Sequence, residues 1–127
     1  MPDIAEKIID ARPLPSPVRV MRSYARLVTG MTGGDIYGEV HQSRLPSETG
    51  VTYDFYVGVV GKPFRHKLLS AEFDFYQDYP VRLYNHEAGN IMRLYAEVEF
   101  EDRLKSILSS AVTQNLLGRL RAIARDR

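Results

Sequence analysis

Residues 91–112 read IMRLYAEVEFEDRLKSILSSAV, and the spacing of their apolar residues changes part-way along. Met92, Leu94, Ala96, Val98 and Phe100 alternate with Arg93, Tyr95, Glu97, Glu99 and Glu101, the two-residue repeat of a half-buried strand. From Asp102 the spacing is helical, with Leu104, Ile107, Leu108, Ala111 and Val112 on one stripe. A strand that runs into a helix sets the class as α+β. The expected architecture is an antiparallel β-meander of four or five strands, with N-terminal helices and a long C-terminal helix or helix pair packed on one face.

Upstream, the two-residue period extends back to Asp35, punctuated by turn residues at Pro46–Gly50, Gly61–Pro63, Asp78–Pro80 and Asn85–Asn90. Strands are expected over 35–45, 51–60, 64–77, 81–85 and 91–101. Before the sheet, Ser16 as N-cap, Pro17 in the first turn and Gly30 as a left-handed stop frame a helix over 18–30. Its stripe of Val18, Met21, Ala25 and Val28 faces away from Arg19, Arg22 and Arg26. Residues 1–17 read as an arm: Asp3 and Glu6 resemble a capping arrangement ahead of Ile8 and Ile9, and Pro13, Pro15 and Pro17 form a stiff connector.

Downstream, residues 102–126 are expected to be helical, but the stripe loses phase. Leu116, Leu120 and Ile123 sit nearly half a turn from where the stripe would continue, with Thr113, Gln114 and Asn115 at the discontinuity. Either the helix breaks there, or it continues and buries a second face against a partner.

The whole is one domain: the chain has 127 residues, 44% of them hydrophobic and 26% charged, enough to bury a core. The net charge of +1 gives no global field to gather nucleic acid or an anionic membrane. No cysteine is present, which excludes disulfide and thiolate chemistry. The N-terminus lacks the pattern of a secretory signal, and no apolar run approaches the ~20 residues of a membrane span, so a cytoplasmic location without membrane insertion is expected.

Alternation sends Phe55, Phe73, Phe75 and Phe100, with Ile36, Val40, Tyr53, Val57, Val59, Val81 and Leu83, to the core face. It sends Tyr37, Tyr56, Tyr76, Tyr84 and Tyr95 to the other. There Asp35, Glu39, Asp54, Glu72, Asp74, Glu97, Glu99 and Glu101 outnumber Arg82 and Arg93, so the face is expected to be acidic and to repel phosphate. Tyrosine with occasional arginine suits a protein interface, because these types supply much hot-spot energy; a solvated sheet face accounts for the same pattern. The net charge of +1 divides into +2 over residues 1–30, −5 over 31–101 and +4 over 102–127. Arg119, Arg121, Arg125 and Arg127 thus read as a solvated helix end, as a segment that docks on an acidic sheet face, in the same chain or a neighbour's, or as a nucleic-acid contact, which lacks the interleaved aromatics of a single-strand platform.

Catalytic signals are weak. Asp54, Asp74 and His66 form a candidate ligand site between curved sheet and C-terminal helix, for a small-molecule-binding protein or small hydrolase. Glu72 and Asp74 lack the following lysine of a metal-nuclease pattern, the three histidines show no ligand spacing, no serine has a glycine-flanked elbow, and the Gly30–Gly34 cluster follows a helix instead of opening one. No catalytic residue, metal or cofactor is expected. The favoured expectation is a non-enzymatic interaction or assembly subunit, self-associating through Tyr37, Tyr56, Tyr76, Tyr84, Tyr95, Arg82 and Arg93 of the sheet and Leu116, Arg119, Leu120, Arg121 and Arg125 of the C-terminal helix. On this view, deleting residues 115–127 dissociates the oligomer and leaves the domain folded.

Overall fold

A computed structural model describes residues 13–44 and 47–126; the expected first helix lies outside them. Helix α1 (Ser16–Met31) leads into strands β1 (Ile36–Gln42), β2 (Gly50–Val59), β3 (Arg65–Asp74), β4 (Val81–Asn85) and β5 (Asn90–Leu94), then helices α2 (Glu97–Ser109) and α3 (Ala111–Arg125). The strands form one antiparallel sheet in the order β1-β2-β3-β4-β5. This is the expected α+β meander, with a helix pair at its C-terminal end.

The capping of α1 differs from expectation. Pro15 is the N-cap, and Ser16 is already helical; its backbone N–H donates to Asp78 Oδ2 at 3.2 Å, so the loop before β4 satisfies one of the free donors of the first turn. The Ser16 hydroxyl is shared with Tyr79 Oη and Glu97 Oε1, which ties the helix start to the start of α2. At the other end the helix runs through Gly30, and the left-handed residues are Gly33 and Gly34, at φ 64° and 85°. Val18, Met21, Ala25 and Val28 are buried as the stripe requires. Contact with β1 is close: a Cβ on Gly38 would lie 2.7 Å from the Ala25 carbonyl oxygen, and the Gly38 N–H donates to Thr29 Oγ1.

The largest departure lies in the stretch that sets the fold class. Strand β5 ends at Leu94 and α2 begins at Glu97, so residues 97–101 are helix instead of strand. Glu97 and Glu99 suit a first turn, where free N–H groups and the helix dipole favour negative charge, and Glu99 Oε2 accepts from the Tyr95 N–H at 2.9 Å. Phe100, Leu104, Ile107 and Leu108 then fall at i, i+4, i+7 and i+8 and are buried, while Val98 is 63% exposed. Phe75 is also exposed, because β3 stops at Asp74, whose Oδ1 accepts from the Tyr76 N–H in a tight turn.

The C-terminal break falls at Ser110, before the expected Thr113–Asn115. Its Oγ donates to the Ile107 carbonyl at the end of α2 and accepts from the Thr113 N–H at the start of α3, so one hydroxyl closes one helix and opens the next. The bend turns Val112 outward and buries Thr113, Leu117 and Leu120. Residues 115–127 therefore supply part of the core. All three helices pack on one face of the sheet, over Ile36, Phe55, Val57, Leu69 and Leu83. No helix among the described residues is long and apolar enough to cross a membrane.

Candidate functional site

Among the described residues no element covers the second face of the sheet, and register places its side chains in rows. One row runs His41, Asp54, Ser70, Tyr84 and Ile91 across the five strands; beside it lie Glu39, Tyr56 and Lys67, then Tyr37, Gly58 and Arg65; on the other side are Thr52, Glu72, Arg82 and Arg93.

Strand β3 decides the charge of this face. A register shift opposite Phe55 and Tyr56 leaves Leu68 without a partner in β2, so Leu69 pairs with Phe55 and Lys67 with Tyr56. An extra residue in one strand reverses the side on which every residue beyond it points. Lys67 and Arg65 thereby join the open face, and Leu68 is buried beside Leu69. The expected acidity is corrected: Glu39, Asp54 and Glu72 meet Arg65, Lys67 and Arg82, while Asp35 faces α3 and Glu97, Glu99 and Glu101 lie on α2.

These charges are arranged as pairs. Glu39 Oε1 accepts from Arg65 at 2.8 Å and lies 3.1 Å from His41 Nε2. Partial burial pushes the Glu39 carboxyl up, but the hydrogen bonds from Arg65 and His41 more than offset this and hold it below the usual carboxylate range. The Arg65 guanidinium also lies 4.0 Å from the centre of the Tyr56 ring. Arg82 pairs with Glu72, and Lys67 Nζ is 3.5 Å from Asp54 Oδ2. Arg93 stands directly opposite Arg82 and has no ion pair among the described residues. The Tyr37 ring lies against Gly58, where any Cβ would strike it at 2.4 Å.

Asp54 and Ser70 are both 5% exposed, and with His86 they resemble a hydrolase triad in composition only. Ser70 Oγ donates to Asp54 Oδ1 at 2.6 Å, and its contact with His86 Nε2 at 2.9 Å then requires the histidine to donate. In a nucleophilic triad the serine proton points at the histidine and the carboxylate holds the far ring nitrogen. Here the serine proton is held by the carboxylate, so the cluster is a polar clamp between β2, β3 and the β4–β5 turn, buried at Asp54 and Ser70 and exposed at His86. Replacing Asp54 with alanine removes the acceptor of the buried Ser70 hydroxyl, and a loss of about 1–3 kcal/mol in chemical denaturation is expected.

The other candidates are dispersed. His66 pairs with Glu87, and Asp74 serves its own turn, so Asp54, Asp74 and His66 are not brought together. Among the described residues no three His, Asp or Glu side chains converge as a metal site would require. Tyr37, Tyr56 and Tyr84 share the open face; Tyr76 and Tyr95 are exposed but lie beyond the ends of β3 and β5. At the C-terminus, Leu120 is core, Leu116 is partly buried, and Arg121 and Arg125 both approach Asp35 Oδ2, at 3.8 and 3.2 Å. The basic end thus meets an acid in its own chain, ahead of β1. Arg119 remains exposed. Sequence reasoning missed Arg65 and Lys67, because only the bulge brings them over. Compared with protein-family models and with curated proteins, the chain matches none.

Proposed function

We propose that the protein is a non-enzymatic interaction subunit that self-associates through the open face of its sheet. The observation that carries this reading is a five-stranded face bearing Tyr37, Tyr56 and Tyr84 on which Glu39, Asp54 and Glu72 are each paired with a cation and Arg93 is left over. A face of one sign would repel its own copy and attract a polyion; a balanced face admits an isologous contact, in which the same patch is presented by both copies. The buried clamp of Asp54 and Ser70 supports binding over catalysis, since it stiffens the face and offers no free nucleophile.

Size sets the strength. Strands about 4.8 Å apart and mostly five to ten residues long span on the order of 500 Å² in plan, below the ~800 Å² per partner of a standard interface. A weak, concentration-dependent dimer is expected. The C-terminal helix contributes less than the sequence suggests, because Leu120 is buried and Arg125 is held by Asp35 within the chain. Arg93, exposed and without an ion pair among the described residues, is the charged group with most to gain from a carboxylate on a second copy.

Tyr84→Ser and Arg93→Glu test the proposal by light scattering over a concentration series. Loss of a hot-spot side chain costs about 2 kcal/mol, roughly a thirtyfold weaker dimer. Each variant is expected to stay near the 14.5 kDa chain mass where the unmodified chain is heavier, with little change in Tm. A chain that is monomeric at every concentration, or variants that associate unchanged, would overturn it. Ile123→Glu, on the exposed side of α3, serves as the control and should leave association intact.

A further inference from the structure

A second concavity lies on the opposite side of the molecule, where the C-terminal half of α1 meets the end of α2 and the middle of α3. It encloses about 390 Å³, within the range of small-ligand sites. Leu27, Met31, Leu108 and Leu117 give it an apolar wall, and Leu27 and Met31 are 52% and 67% exposed at its mouth. Two apolar side chains left in water beside a preformed groove are stabilised when an apolar group covers them.

The polar groups around the groove are of one kind. Ser109 donates to the Lys105 carbonyl, Gln114 Nε2 to the Leu108 carbonyl and Thr32 Oγ1 to carbonyls of α1 and β1, so these three neutral groups are satisfied by backbone, and Tyr24 adds a partly buried ring to the lining. The charged residues of the lining are Lys105 and Arg121, and among the described residues no carboxylate joins them there. Arg121 Nε is itself covered and, among the described residues, has no hydrogen-bond partner, while 40% of the side chain is exposed. It lies 3.8 Å from Asp35 Oδ2, beyond hydrogen-bond reach, and Arg125 takes that oxygen at 3.2 Å. Two arginines sharing one carboxylate leave positive charge at the groove, and an orphaned buried donor calls for an acceptor. Gly118 completes the geometry: a Cβ built there meets nothing within 4 Å, so α3 keeps open space at this point.

We infer that this groove binds a small amphipathic carboxylate, a linear alkyl tail along Leu27, Met31, Leu108 and Leu117 with its anionic head at Arg121 and Lys105. An apolar ligand without charge would leave both cations unmet, and a cationic one would be repelled. The site is separate from the open sheet face, so either proposal can fail alone.

Titration calorimetry tests it with decanoate below its micellar concentration, at protein concentrations where the chain is monomeric. One saturable site per chain is expected, with decan-1-ol and decyltrimethylammonium at least tenfold weaker. Arg121→Gln should weaken decanoate at least fivefold. Gly118→Met fills the groove and removes a helix glycine, so it should weaken binding at least tenfold without lowering Tm. Absence of saturable decanoate binding, equal binding of the cationic amphiphile, or full affinity in Gly118→Met would overturn the inference.

Discussion

Removal of residues 115–127 is expected to abolish the cooperative thermal transition. This reverses the consequence drawn from the sequence alone, in which the Arg-rich end was a detachable interface. Leu117 and Leu120 are 8% and 7% exposed, packed in the same core as α1 and β1. Loss of a buried leucine side chain costs about 2–5 kcal/mol, and two of them approach the ~5–15 kcal/mol by which a domain is stable. The deletion also removes Arg121 and Arg125 from Asp35 and uncovers apolar side chains of β1 and β2, so the truncated chain should lose near-ultraviolet circular dichroism and gain binding of hydrophobic dyes. A truncated chain with a sharp transition within a few degrees of the intact one would contradict the placement of α3.

Phe100→Ala carries the second large effect. Phe100 is fully buried in the second turn of α2, with its ring 6.4 Å from that of Tyr79 in an edge-to-face arrangement. Truncation of a buried phenylalanine costs about 3–5 kcal/mol, a fall in Tm on the order of 10–20 °C for a domain of this size. Val98 supplies the contrast. In a strand over 91–101 the two residues would share one face and both would matter; in a helix Val98 is 63% exposed, so Val98→Ala should change stability by no more than about 0.5 kcal/mol. Comparable losses from the two substitutions would argue for the strand.

Those two residues also show what the sequence made legible. The change from a two-residue period to a helical one was plain in residues 91–112, and it yields the order of elements and the α+β class. The position of the change was not, because Phe100 satisfies both periods: it alternates with Glu99 and Glu101, and it begins the stripe continued by Leu104, Ile107 and Leu108. Only the capping chemistry, acidic residues in the first turn with Glu99 reaching back to the Tyr95 N–H, separates the two readings. Ser110 illustrates the same limit. The phase slip pointed to Thr113–Asn115, but the break lies at Ser110, whose Oγ reaches both helices.

The candidate site was legible in its tyrosines and not in its charge. Strict alternation along β3 placed Glu72 and Asp74 on the open face and sent Lys67 and Arg65 away from it. The bulge at Leu68 brings them back, and neither Leu68 nor Leu69 signals it, since both are apolar and both end up buried. One unpaired residue thus converts an expected acidic surface into a balanced one, which shifts the partner favoured for it from a cationic segment to a second copy of the same face.

The absence of cysteine allows that claim to be tested directly. A single Ile91→Cys replacement, at the exposed end of a row on the open face, carries one spin label per chain, so any dipolar coupling is between copies; Arg22→Cys labels the exposed side of α1, in the helical layer on the far side of the sheet. Face-to-face packing turns the helices outward. A defined inter-chain distance at Ile91 that is shorter than any seen at Arg22 is the predicted result, and no coupling at Ile91, or a shorter distance at Arg22, would contradict it.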